Sequence, residues 1–297
     1  MIEIAIDTDV CKKDGLCAMS CPRGILEQEE KGTVPKVIDA FLQKCFRCGH
    51  CVAVCPHGAI SHNVFPEGTV SPIRSDYVPS YDQVLELVRS RRSKRSFKQT
   101  PVERDVIEKV LDAARFAPSG HNEQSTEFVV VQDKKILKEI SDLTAEGIGK
   151  LAGYTRNPIG RFMMRRAMGR RGAAYVTELA PEMEGLVTLH KSGTDWILRE
   201  APVLVLFCAD SAGGTSMSIN ANLALQNGAL AAEAYGLGCF YVYFVVLASE
   251  RVDGIARLVS LPETHAIYGA LAVGYPRLTY KKWPERNPAK VIWIGTG

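Results

Sequence analysis

The sequence predicts a two-part chain, a small N-terminal module held by cysteines followed by a larger body of helices over a covered sheet. Three observations carry this. Seven of the nine cysteines lie within residues 11–55. Beyond residue 80, helix-start signals alternate with continuous apolar runs, EFVVVQ (127–132) and VLVLFC (203–208), which read as strands covered on both faces. At 297 residues the chain also exceeds what one core usually organises, so one large domain and one smaller one are expected. The boundaries fall at 1–62 for the cysteine-rich module and 81–297 for the body. Residues 63–80, with three prolines and little apolar periodicity, suit an extended linker.

Composition excludes more than it assigns. The longest apolar stretches, 201–209 and 237–248, fall far short of the roughly 20 residues that cross a bilayer. The opening MIEIAIDTDVC has neither a basic start nor a long apolar run, so no signal peptide is visible and a cytoplasmic location is expected. A net charge of +3 gives no argument for nucleic acid. Residues 1–80 carry a net −2 and residues 81–297 a net +5.

The body opens with Ser80 and Gln83, spaced as a capping box, before Val84, Leu85, Leu87 and Val88. Thr100-Pro101-Val102-Glu103 reads as a Thr cap, Pro at the first helical position and Glu at the third, and Pro118 marks the end of the following helix. A small-residue helix is expected over 220–235, strands over 239–246 and 266–273, and a helix near 249–260 between them. Residues 141–195 are polar and show no clear element.

The chemistry of the module lies in its spacing. Cys45-x2-Cys48-x2-Cys51-x3-Cys55-Pro56 is the run of a ferredoxin that binds two clusters, in which the fourth cysteine serves the other cluster. The first copy, Cys11-x2-Asp14-x2-Cys17-x3-Cys21-Pro22, has Asp where the second cysteine should stand. Crossed ligation then gives one site of Cys21, Cys45, Cys48 and Cys51, and another of Cys11, Cys17, Cys55 and Asp14. Both are expected to be 4Fe–4S clusters, with 3Fe–4S an alternative at the Asp14 site. A zinc site is the competing reading, though zinc usually separates two cysteine pairs by a longer spacer. Asp14-Gly15 can equally be an ordinary turn. His50, His57 and His62 lie in or beside the module and are expected at surface or packing positions. The module resembles the two-cluster ferredoxins throughout, except at position 14.

Ser90-Arg91-Arg92-Ser93-Lys94-Arg95-Ser96-Phe97 suits an anion with several oxygens, because a guanidinium fork matches phosphate in two-pronged fashion. Alone, such a run is usually a solvated face. Here it is followed by Ala117-Pro118-Ser119-Gly120-His121-Asn122-Glu123-Gln124 and, after the last strand, by Gly274-Tyr275-Pro276. In this order and at these separations the three segments resemble the nitroreductase family, over about residues 81–297.

The resemblance implies an α+β fold with a helix-covered sheet and a homodimer with FMN at its interface. It places Arg91, Arg92 and Ser93 at the phosphate and ribityl end, and Arg95 at the pyrimidine edge. Pro118, Ser119, Gly120 and Asn122 match the segment that reaches the flavin bound mainly by the other subunit. Lys282 and Arg286 fall where the family places cationic phosphate ligands. Two departures stand out: Ser125-Thr126 replaces the common Pro-Trp, and Tyr243 stands where Gly is common. Cys208 and Cys239 read as small hydrophobes on strands.

The architecture implies single electrons passing through clusters to FMN, which reduces a nitro, quinone or related conjugated small molecule. No protein nucleophile or general base is required by this scheme, and none is evident. Ferredoxin or NAD(P)H is the expected donor. The rivals are an NAD(P)H-driven flavin reductase and a non-catalytic electron carrier or redox sensor. Arg156, Arg161, Arg165, Arg166, Arg170 and Arg171 occupy a stretch, 147–176, without an acid. It reads as a solvated lid helix, a site for an anionic substrate or acidic electron donor, or a membrane-surface contact.

Overall fold

The computed structural model describes residues 1–252 and 254–295. By internal contacts the chain forms two compact units. The first comprises Met1–Pro79 together with Ser119–Gln124, the second Ser80–Pro118 with Ser125–Gly297.

In the first unit, β1 (Ile4–Ile6) pairs antiparallel with the strand formed by Ile60–His62, placing Ile4 opposite His62 and Ile6 opposite Ile60. Between them the chain runs through α1 (Leu16–Ser20), a hairpin of β2 (Leu26–Glu27) and β3 (Lys36–Val37), α2 (His50–Val54) and then that closing strand, β4. The two short helices start alike. Gly15 and Gly49 precede them at φ 74° and 71°, where only glycine is at ease, and a Cβ would strike the Gln28 side chain at the first and the Phe65 ring at the second. The core is minimal: Cys17, Leu26 and Ile60, with partly buried Ile4, Ile6, Val37, Val52 and Val54 around them. So small a core needs a further staple to be stable. Residues 63–80 hold little regular structure beyond one turn of 3-10 helix at Ser75–Tyr77.

The second unit begins with α3 (Tyr81–Ser90), whose capping box is complete: Gln83 N–H donates to Ser80 Oγ and Ser80 N–H to Gln83 Oε1. The next helix, α4 (Arg104–Arg115), starts later than Thr100-Pro101 predicts. Val102 is buried and its carbonyl accepts from Gln132 Nε2 at 2.8 Å, while the Glu103 carboxylate accepts from Tyr275 Oη at 2.6 Å. Two residues of the expected first turn are thus drawn into tertiary contacts.

β5 (Glu127–Val131) leads to α5 (Lys134–Tyr154) and α6 (Pro158–Lys191), so the stretch that shows no clear element in sequence is two long helices. Their buried faces include Ser141, Thr144, Gly147 and Gly160, which blur the apolar period, and α6 is interrupted by Gly169 at φ 74°. β6 (Val203–Asp210), α7 (Thr215–Ala234), β7 (Gly238–Tyr241), α8 (Tyr243–Ser249), α9 (Gly254–Leu258) and β8 (His265–Gly274) complete the unit. The expected strand over 239–246 therefore ends early, and part of the helix expected near 249–260 falls on residue 253, outside the described residues. Pairing with β8 stops after Tyr241, and Val245 and Ala248 then turn inward at helical spacing against α5, where Gly147 leaves room for Ala248.

The sheet is antiparallel throughout, in the order β5-β6-β8-β7. Side chains of β6 alternate between two cores: Leu204, Leu206 and Cys208 face α5, α6, α8 and α9, while Val203, Val205 and Phe207 face α4 and α7. Both faces are covered, which is why β6 reads as an unbroken apolar run.

Candidate functional site

In the first unit the cysteines sort into two groups. Cys21, Cys45, Cys48 and Cys51 line one small cavity with Phe46 and His62. Burial pushes the Cys51 thiol up to about 11, and the neighbouring Cys21, Cys48 and Cys45 add to this. Cys17 is raised by burial, and by Cys55 and Cys11 beside it. Cys21 thus lies with the cysteines of the second motif, and Cys55 with those of the first. Buried thiols clustered in this way hold their protons unless a cationic centre compensates the thiolates.

Backbone donors already face the sulfurs: Lys13 and Arg47 N–H donate to Cys11 and Cys45 Sγ at 3.4 and 3.3 Å, and Ile25 and Ala59 N–H to Cys21 and Cys55 Sγ at 3.3 and 3.4 Å. Lys13 and Arg47 reach their sulfurs through φ of 62° and 53°, a left-handed backbone uncommon for non-glycine residues and costing about 1–3 kcal/mol each. Among the described residues no three His, Cys, Asp or Glu side chains converge tightly enough for a single ion. Asp14 Oδ1 accepts from Leu16 N–H at 3.1 Å, as in an ordinary turn, and its Oδ2 lies 3.9 Å from His57 Nε2. His62 is buried, which holds its pKa below the usual imidazole value, and its Nε2 is 3.5 Å from Cys45 Sγ. The packing or surface position expected for it misses that contact, which no spacing motif announces.

Ser119–Gln124 clusters with this unit. Asn122 Nδ2 donates to the carbonyls of Arg47 at 2.9 Å and Phe46 at 3.4 Å, inside the Cys45–Cys48 loop. The His121 ring lies 4.7 Å from the Phe46 ring, whose face also meets Arg23 at 4.8 Å. His121, Asn122 and Gln124 all have positive φ, and Ser119 Oγ steadies the turn by accepting from Gln124 N–H. Gly120 lies in the same turn, and Pro118 just before it belongs to the second unit.

In the second unit the arginine run and the Gly-Tyr-Pro turn come together. Ser93 bridges Cys239 of β7, Phe97 bridges Pro276, Lys98 N–H donates to Tyr275 O and Arg277 N–H to Ser96 O. Gly274 is required by close approach: a Cβ there would meet Pro202 at 2.7 Å and Phe97 at 2.9 Å. A cavity of about 220 Å³ lies along this seam, lined by Ser93, Arg95, Ser96, Pro276, Leu278 and Tyr280. Arg91 follows the last residue of α3, and its charge is felt by both Cys239 and Tyr241. Arg92 Nη2 is buried and has no hydrogen-bond partner among the described residues. Arg95 lies over the Phe240 ring at 5.5 Å.

Two residues here are not flagged by sequence reasoning. Arg199 is held below the usual guanidinium range by burial and by Arg95 beside it, and Lys94 is paired with Glu233 at 2.7 Å in a nearly enclosed site. Of the two C-terminal cations, Lys282 adjoins Trp283, which stacks against Arg89 of α3 at 4.3 Å. Arg286 is exposed, and no described contact ties it to the run. Burial pushes Cys208 to about 12 and Cys239 to about 11, so neither thiol is reactive.

An arginine run aligned on a Gly-Tyr-Pro turn over a four-stranded antiparallel sheet has relatives. The sequence model of the Nitroreductase family matches residues 88–275, more than half of the chain. The chain belongs to the nitroreductase family. It is an oxidoreductase, and residues 6–59 match a 4Fe-4S dicluster domain, so the nitroreductase domain follows an iron–sulfur module in the same chain. A candidate NADH dehydrogenase/NAD(P)H nitroreductase of Methanothermobacter thermautotrophicus is 26% identical over 196 residues, covering 65% of this chain and 77% of its own. An FMN reductase [NAD(P)H] of Bacillus subtilis is 23% identical over 232 residues, covering 71% and 72%. The fold matches that of a Desulfitobacterium hafniense nitroreductase solved with bound FMN, at a TM-score of 0.52 and 18% identity, over 73% of this chain and all of that one. The Ser119–Gln124 loop falls inside the nitroreductase match, yet it clusters with the first unit. No helix among the described residues is long and apolar enough to cross a membrane.

Proposed function

We propose that this chain is an iron–sulfur flavoprotein that relays single electrons from an external donor to a nitro, quinone or related conjugated acceptor. The observation that carries the reading is Asn122: a loop of the nitroreductase domain, in the segment that by resemblance reaches the flavin, is hydrogen-bonded to the Cys45–Cys48 loop. An electron carrier unrelated to the nitroreductase chemistry would have no need of that clamp.

The donor sets fit the groups. Arg91, Arg92 and Ser93 hold the FMN phosphate and ribityl end. The orphan Nη2 of Arg92 is the buried donor such a phosphate would satisfy. The resemblance assigns Lys282 and Arg286 to the same end, though no described contact ties Arg286 to the run. Arg95, with Arg199 beside it, faces the pyrimidine edge, where two cations favour negative charge on the ring. Pro118, Ser119 and Gly120 complete the flavin-facing segment from the second copy of a homodimer. Cys21, Cys45, Cys48 and Cys51 hold one 4Fe–4S cluster; Cys11, Cys17 and Cys55, with Asp14 at the fourth corner, hold the other. When bound, FMN supplies one- and two-electron transfer and the clusters supply single-electron transfer. No protein acid or base is assigned a role.

A second reading, in which NAD(P)H supplies the electrons directly, is favoured by the names of the two relatives above. Anaerobic mixing of the FMN- and iron-loaded chain with NADH, NADPH and reduced ferredoxin, side by side, separates the donors. Fast reduction by ferredoxin alone supports the relay, and fast reduction by a nicotinamide alone supports the second reading.

A further inference from the structure

The sulfur contacts of the first unit come in pairs related by the two cysteine motifs. Lys13 N–H reaches Cys11 as Arg47 N–H reaches Cys45, and Ile25 N–H reaches Cys21 as Ala59 N–H reaches Cys55. One contact has no counterpart. His62 Nε2 lies 3.5 Å from Cys45 Sγ. His62 stands seven residues after Cys55, as Gln28 stands seven after Cys21. The Gln28 amide, however, is committed to the carbonyls of Lys13 and Thr33, at 3.0 and 2.7 Å.

The chain fixes which nitrogen carries the proton. Val64 N–H donates to His62 Nδ1 at 3.2 Å, so Nδ1 presents a lone pair and the hydrogen sits on Nε2, facing the sulfur. The ring cannot easily turn away: His62 is paired with Ile4 across the strand ladder and packs edge-on to Phe65, 5.3 Å between centroids.

We infer that His62 is a tuning residue, whose Nε2–H donates to the Cys45 thiolate and makes the cluster of Cys21, Cys45, Cys48 and Cys51 easier to reduce than backbone donors alone would make it. An N–H···S bond draws electron density from the sulfur and so favours the more negative, reduced cluster. The inference rests on the reading that these cysteines hold a cluster. It assigns the two sites unequal potentials from a contact that, among the described residues, only one of them has, independently of Asp14.

The test is a potentiometric titration followed by EPR on the full, reconstituted chain, comparing wild type with His62→Phe and His62→Gln. His62→Phe is expected to make one cluster about tenfold harder to reduce, a midpoint about 59 mV lower for one electron, and to leave the other unmoved. His62→Gln keeps an N–H of similar reach and is expected to shift the same cluster less. Wild type labelled with 15N-histidine supplies a readout that survives failure of either variant to fold: hyperfine coupling of an imidazole nitrogen to the reduced all-cysteine cluster. Full iron content with unmoved midpoints in both variants overturns the inference alone, as does absence of that coupling in wild type. Absence of bound iron after reconstitution overturns the cluster reading and the inference with it.

Discussion

The Asn122 side-chain amide donates to the main-chain carbonyl of Arg47 at 2.9 Å, and Arg47 in turn donates its N–H to Cys45 Sγ at 3.3 Å. Two hydrogen bonds thus connect the Ser119–Gln124 loop to a sulfur that we propose as a cluster ligand. Asn122→Ala removes the first of them together with the contact to Phe46. Electron transfer from clusters to flavin should slow about tenfold, in line with about 1 kcal/mol for a typical net hydrogen bond and the loosened geometry that follows. Iron content should stay unchanged, and the rate is compared at equal FMN occupancy. Stopped-flow traces at cluster and flavin wavelengths check it, and an unchanged rate would remove Asn122 from the route.

Arg92→Leu should weaken FMN binding about 10- to 100-fold, the worth of a charge-assisted hydrogen bond to phosphate. Riboflavin, which lacks the phosphate, should bind wild type and variant alike. Fluorescence titration with both ligands checks the prediction. Equal losses for the two would place Arg92 at the ring or in the core.

Arg95→Ala should lower affinity for reduced FMN more than for oxidised FMN, because the charge that is lost faces the ring. The flavin midpoint potential should fall. A normal midpoint at full FMN occupancy would count against the role.

Much of this was legible from residues alone, and the failures have physical causes. The capping box at Ser80 is local, and the structure keeps it. The equally local Thr100-Pro101 signal is overridden, because Val102 and Glu103 are claimed by Gln132 and Tyr275, partners distant in sequence. The cysteine spacing was readable because ligand geometry is encoded in short intervals. The two long helices over 134–191 were not, since small and polar residues occupy their buried faces. His62 and Arg199 lie beside groups 17 and more than 100 residues away, Cys45 and Arg95, and no periodicity announces such a pair.

Glu103 and Tyr275 give a pH signature. Their hydrogen bond holds the Glu103 carboxyl below the usual carboxylate range and lifts the Tyr275 hydroxyl above its ordinary value. A depressed carboxylate contributes stability above its unfolded pKa and loses it as pH falls through the folded one; a raised tyrosine loses its contribution as pH rises through its folded value. The melting temperature of wild type should therefore exceed that of Tyr275→Phe at neutral pH, with the gap closing at both acid and strongly alkaline pH. The gap should be small, since Glu103 is exposed. A constant gap across pH would show that lost packing, not the bond, sets it.

Lys94→Met leaves Glu233 enclosed without its partner and should cost about 2–4 kcal/mol, slightly under the cost of breaking a fully buried pair. Lys94→Met with Glu233→Leu should recover most of the loss. Denaturant unfolding of the three proteins checks it, and additive losses would contradict it.

The central claim is that electrons reach the flavin through the clusters. Its most direct test mixes reduced ferredoxin anaerobically with the FMN-loaded chain, following cluster and flavin absorbance in wild type and in Cys45→Ser. Cluster bleaching should precede flavin bleaching in wild type, and in Cys45→Ser the flavin should stay oxidised on that timescale with FMN still bound. Flavin reduction at the wild-type rate in Cys45→Ser would contradict it.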